Sequence, residues 1–236
     1  MASHQQELQI SMAIRERLHQ LLCVRFHFAN VNSVRNTMAQ SGAIISGSAA
    51  LAILRPQQKP NDIDFYVPPR GLAQLLKFVL VHRYELTVPV PGEGGYPQRI
   101  VLKLMHPISA SRIDIIVPTK NVVEEVTKFH STVVMNYITS YGLVSLYPSW
   151  TMSGVGTIAK KGAEASGCIQ KYRNRGYTIV NDPSVLPMGG DGQFLGPQAK
   201  RSTFDDETLF IPFDDVAPKL PTFEAREISW TLGENS

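Results

Sequence analysis

Apolar residues recur at three- or four-residue spacing through Ile10, Ile14, Leu18 and Leu21, and more briefly through Val31, Val34 and Met38. That period puts them on one helical face, so residues 5–40 are expected to be helical and to pack on a sheet. A second stripe, Leu72, Leu75, Leu76, Val79 and Leu80, follows Pro68-Pro69 and predicts a helix over 71–82. Residues 121–128 read as a short third helix. Elsewhere the pattern shortens to that of strands: residues 43–45, 62–67, 84–88, 98–105, 112–117 and 177–180. In 98–105, Ile100, Leu102 and Leu104 alternate with Arg99, Val101 and Lys103, a half-exposed strand leading into 112–117. Residues 132–137 and 143–147 flank a turn-like break and predict a hairpin. Residues 89–97 hold three prolines and three glycines and are expected to form a loop. From Thr157 to Arg175 a last helix is expected.

Polar residues interrupt this pattern at three informative places. Gly47-Ser48 breaks the Ala43-Ile44-Ile45 run, and Ala49 to Leu54 has helix-forming composition until Arg55-Pro56 stops it. The reading is strand, turn, helix. Gly47 would let a ligand approach the backbone, and Ser48 would cap a helix whose free N–H groups favour phosphate. After a thirteen-residue spacer beyond Ser48 come Asp62 and Asp64, two positions apart in a β-prone hexapeptide. Alternate strand residues share a face, so both carboxylates leave the sheet together while Ile63 and Phe65 enter the core. Side by side, the carboxylates repel unless a cation sits between them, and Mg²⁺ or Mn²⁺ suits oxygen ligands. Asp114 is the lone acid in Arg112-Ile113-Asp114-Ile115-Ile116-Val117. Beside the first strand it would complete a three-carboxylate cluster for two ions, the arrangement of in-line phosphoryl chemistry.

Gly-Ser, a spacer, Asp-x-Asp and a later strand with a single Asp resemble the signature of the nucleotidyltransferase superfamily, the DNA polymerase β-like group. The resemblance covers residues 43–117. It implies an α/β (α+β) fold, a nucleotidyltransferase-like mixed β-sheet flanked by helices. It implies that Gly47 and Ser48 contact phosphate, that Asp62 and Asp64 bind both metal ions, and that Asp114 helps activate an acceptor hydroxyl. Ser46 stands where that family has an apolar residue, and the spacer is long for the pattern. Neither departure removes a ligand. Residues 129–146, FHSTVVMNYITSYGLVSL, also resemble a segment of uncharacterised fungal proteins with such a domain.

Charge divides the chain. Residues 1–180 carry 19 basic and 10 acidic side chains, whereas 181–236 carry 4 and 10. A basic body suits a polyanion, and an acidic tail could cover the same surface in its absence. Lys160, Lys161, Lys171 and Arg175 are the basic residues expected to hold a triphosphate, with Lys171 and Arg175 one helical turn apart and Tyr172 available to stack on a base. A solvated helix face is the simpler alternative for them, as polar-face or capping roles are for His19 and His27. Beyond Val180, repeated prolines and glycines predict an extended tail ordered in part by docked Phe and Trp side chains. The expected organisation is therefore a helical segment over 1–42, a nucleotidyltransferase-like domain over 43–180, and an acidic extension over 181–236.

Cys23 and Cys168 lack metal or disulfide spacing, and no apolar window has the length of a membrane span, so a cytoplasmic protein is expected. The leading functional expectation is transfer of a nucleoside monophosphate from an NTP, ATP first among them, to an RNA or small-molecule hydroxyl, with two Mg²⁺ or Mn²⁺ ions. Alternatives are a non-catalytic nucleotide- or RNA-binding module of the same fold, and an interaction protein using its acidic tail.

Overall fold

A computed structural model describes residues 4–87, 100–188, 195–196, 198–214 and 227–232. The helical segment begins with α1 (His4–His19), which runs into one turn of π-helix at Gln20–Arg25, and α2 (Val31–Ser41) follows. Asn30 caps α2 by accepting from the Ser33 N–H at 2.7 Å, and Gly42 ends it in the left-handed conformation at φ 71°. Next come β1 (Ile44–Ser46), α3 (Gly47–Leu54), β2 (Asp62–Tyr66) and α4 (Leu72–Val81). Then β3 (Glu85–Leu86), β4 (Ile100–Met105), β5 (Arg112–Val117) and α5 (Val122–Val126) complete the half that carries the motifs.

The remaining elements are β6 (Asn136–Ile138), β7 (Gly142–Ser145), α6 (Pro148–Ser153), β8 (Val155–Thr157), α7 (Ala163–Asn174) and β9 (Thr178–Val180), then β10 (Arg201–Ser202), β11 (Leu209–Pro212) and β12 (Ser229–Trp230). The main sheet runs β11-β7-β6-β1-β2-β5-β4-β3. Its neighbours are antiparallel except β2 and β5, which are parallel. This is a mixed sheet flanked by helices.

Strand alternation sorts the side chains onto two faces. Ile45, Ile63, Phe65, Ile113, Ile115 and Leu104 enter one core beneath α1, α2, α3 and α4. Ile44, Tyr66, Ile116, Tyr137 and Val144 enter the other, closed by α5, Trp150 and Trp230. The expected hairpin is β6 with β7, and β4 pairs antiparallel with β5, which places Asp114 mid-sheet.

Three sequence expectations change. The break within 5–40 has a π-helical turn and an irregular link, because His27 sits at φ 57°, outside helical space. The helix expected from Thr157 starts only at Ala163: Thr157 is a strand residue paired with Val180, so Lys160 and Lys161 lie in the loop before α7. The tail supplies β11, an edge strand of the main sheet, beyond the side-chain docking expected of it. Phe213 and Trp230 are buried, and Arg35 pairs with Asp214 while lying over the Phe213 ring. β11 is separated from β2 by three strands, so this described part of the acidic extension docks away from the aspartates. The proline- and glycine-rich loop at 89–97 lies outside the described residues.

Candidate nucleotide-transfer site

The site begins where β1 becomes α3. Gly47 adopts φ +66°, and a Cβ there would collide with Asp64 Oδ2, so the turn and the carboxylate fit only because the side chain is hydrogen. Ser46 is fully buried and its Oγ donates to the Asn136 carbonyl at 2.6 Å, which satisfies a polar residue where the resemblance implied an apolar one. Ser48 is buried, and its Oγ donates to Asp62 Oδ1 at 3.4 Å. One hydroxyl thus links the start of α3 to the start of β2.

Register brings the three aspartates together. Asp64 pairs with Ser46 across β1–β2 and with Asp114 across the parallel β2–β5 pair, and Asp62 pairs with Arg112. On β4, Lys103 lies directly opposite Asp114. Across four neighbouring strands one row therefore reads Ser46, Asp64, Asp114, Lys103, all on the sheet face opposite the helical core. Lys103 and Arg112 are site residues that the sequence reading left out. The signal was present, since Lys103 falls on the polar phase of its strand, but its partner is fixed only by β4–β5 register.

Electrostatics follow from this placement. Burial, with Asp62 and Asp114 adding to it, pushes the Asp64 carboxyl up to about 8 against an opposing pull from Lys171. Asp114 is also raised by burial, with Lys103 opposing, Asp62 adding and Arg112 opposing. The carboxylates thus destabilise one another's charged forms, a cost that a hard cation would relieve.

The donor set is all carboxylate oxygen on one face, which fits Mg²⁺ or Mn²⁺. Among the described residues, however, no three Asp, Glu, His or Cys side chains converge tightly enough as they stand to enclose an ion. Gathering the oxygens requires side-chain rotation on strands whose backbones are already in register.

The basic helix meets this site in part. Lys171 lies within electrostatic range of both Asp64 and His130, whose imidazole burial lowers to about 4 with Lys171 adding to the effect. Tyr172 is buried edge-on to Tyr177, and its ring carries Arg175 at 5.3 Å and Lys171 at 6.0 Å. Its hydroxyl is raised by burial, so Tyr172 is a packed support for two cations and has no open ring face for a base. Lys160 and Lys161 are exposed in the loop before α7.

Neither a protein-family model nor a curated protein sequence matches the chain. Solved structures do. Thermotoga maritima CCA-adding enzyme, complexed with tRNA, is similar with a TM-score of 0.50 at 14% identity, over 74% of this chain and 43% of that one. The fold is nucleotidyltransferase-like. An apo CCA-adding enzyme gives a TM-score of 0.47 at 13% identity, over 71% of this chain and 44% of that one. The chain thus spans less than half the length of these two enzymes. The likeness of residues 129–146 to fungal proteins finds no support in these comparisons. Among the described residues no helix is long and apolar enough to cross a membrane.

Proposed function

We propose that this protein is a metal-dependent nucleotidyltransferase that moves a nucleoside monophosphate from an NTP to a hydroxyl acceptor and releases pyrophosphate. The observation that carries the reading is the register of Asp64 with Asp114 beside a Gly47-Ser48 turn whose serine contacts Asp62. A nucleotide-transfer site needs these groups in this order: a phosphate seat, paired carboxylates, and a third carboxylate on the acceptor side.

In this reading Ser48 and the backbone N–H groups at the start of α3 bind triphosphate oxygens, and Lys171 with Arg175 supplies charge from α7. Asp62 and Asp64 would hold both ions and Asp114 one of them, and the bound charge would offset that of the phosphates and favour the ionised acceptor oxygen. Asp114, across the strand pair from Asp64, orients the acceptor hydroxyl and helps remove its proton. The acceptor oxygen then bonds the α-phosphorus as the bond to the β-phosphate oxygen breaks.

The test is incorporation of label from each α-phosphate-labelled NTP, ATP first, with Mg²⁺ or Mn²⁺ and cell RNA or small-molecule extract as acceptor. Transfer by the wild type and none by Asp62→Asn/Asp64→Asn supports the reading. Tight NTP binding with no pyrophosphate released would instead assign a binding module.

A further inference from the structure

In-line displacement gives the site a direction. With the acceptor oxygen entering on the Asp114 side, the pyrophosphate departs on the opposite side of the α-phosphorus, over β1 and the start of α3. The inference rests on the reading above and concerns the end of that phosphate chain. β6 lies beyond β1 in the sheet, and the segment leading into it packs against α3, where Val133 and Val134 close on Leu51. His130 stands in that segment. The departing phosphates therefore run toward His130 and toward Lys171 on α7.

His130 is firmly held. Its carbonyl accepts from the Ala159 N–H at 2.9 Å and the Lys160 N–H at 3.3 Å, Ser131 next to it pairs with Ile158, and its ring centre lies 5.5 Å from that of Tyr172. Nδ1 is enclosed and has no hydrogen-bond partner, whereas Nε2 is not enclosed and is bonded by none of the described residues. An enclosed N–H without an acceptor costs more than an enclosed lone pair, which assigns the proton to Nε2. A second proton would have to go onto Nδ1, in keeping with an imidazole that burial and Lys171 hold down to about 4. The ring is thus a neutral donor that the protein itself leaves unused, in the field of the Lys171 ammonium. Two donors and no acceptor suit an oxygen that carries negative charge and no hydrogen, which a phosphate has and a sugar hydroxyl lacks.

We propose that His130 is a substrate-binding residue whose Nε2–H donates to the terminal phosphate of the NTP, so that it selects a nucleoside triphosphate over a diphosphate. Lys171 offsets charge on the same group, and Tyr172 fixes the orientation of the ring. The contact reads no base, so all four NTPs gain from it alike.

The experiment measures binding apart from turnover. The α,β-methylene triphosphates and diphosphates of the four ribonucleosides, which cannot transfer, are titrated with Mg²⁺ by isothermal calorimetry into wild type, His130→Phe and His130→Gln. The phenylalanine keeps a ring against Tyr172 and removes the N–H, whereas the glutamine gives up the ring and restores a neutral N–H donor. His130→Phe should lose about tenfold in affinity for the triphosphates and nothing for the diphosphates. His130→Gln should recover most of that loss. In turnover, His130→Phe should raise KM for the NTP about tenfold, leaving kcat and KM for the acceptor unchanged.

Equal losses on triphosphates and diphosphates, no loss in His130→Phe, or no triphosphate bound by the wild type overturns the assignment. So does a glutamine variant weaker than the phenylalanine one, which would make His130 a packing residue beneath α7. Loss confined to the triphosphates in a protein that transfers no label would sink the enzymatic reading while leaving the phosphate contact standing. Label transfer without that selectivity would do the reverse.

Discussion

The two faces of β2 and β5 are built from alternate residues of the same strands and have opposite energetics. On one face Ile63, Phe65, Ile113 and Ile115 are completely buried beneath helices. On the other, Asp62, Asp64 and Asp114 stand side by side, and burial with like charge pushes the Asp64 carboxyl up to about 8. The apolar face holds the strands in place, and the acidic face could not be assembled without it. Rigid backbone here makes repelling carboxylates neighbours, and period-2 alternation lets one hexapeptide serve both ends.

The comparison can be broken from either side. The largest effect is expected from Asp62→Asn/Asp64→Asn, which should reduce label transfer to background while circular dichroism stays unchanged, since no apolar contact is lost. Phe65→Ala attacks the other face. It should cost about 3–5 kcal/mol in urea unfolding, because a fully buried ring leaves a cavity under α3 and α4.

A third test separates charge from packing. Asp64 has a folded pKa near 8 against an ordinary 3.8, so the folded state binds the proton more tightly. Its contribution to stability is then fully present below about pH 4 and is lost as pH rises through about 8. Asp64→Asn should remove that slope, and at pH 9 without divalent ions it should raise stability by on the order of a few kcal/mol. Added Mg²⁺ should stabilise the wild type and leave this variant nearly unmoved in thermal melts. The smallest effect is expected at the joint of the two faces. Gly47→Ala forces a left-handed backbone and pushes Asp64 aside, which should cost about 1–2 kcal/mol in urea unfolding and lower transfer as well.

Much of this arrangement was legible residue by residue. The Asp-x-Asp strand, its inward Ile63 and Phe65, the Gly-Ser turn into a helix and the lone Asp114 all announce themselves through local period and an acid where none belongs. What failed to show was non-local. Thr157 has helix-compatible neighbours yet pairs with Val180, because a parallel partner 23 residues away outweighs local propensity. Tyr172 looks available to a ligand in a basic run, but Val133, Ile169 and Tyr177 close over it. The acidic tail, rich in proline and glycine, conceals a short apolar run that completes the sheet edge through β7.

The sequence by itself determined which residues are acidic, which face each leaves, and where the turn before α3 falls, since all three depend on spacing within a few residues. Only the tertiary structure decided that β2 and β5 are parallel and in register, that Lys103 stands opposite Asp114, and that α7 brings Lys171 toward Asp64. Pairing partners are chosen by burial of whole faces across the sheet, a sum over residues far apart in the chain, and no local window contains it.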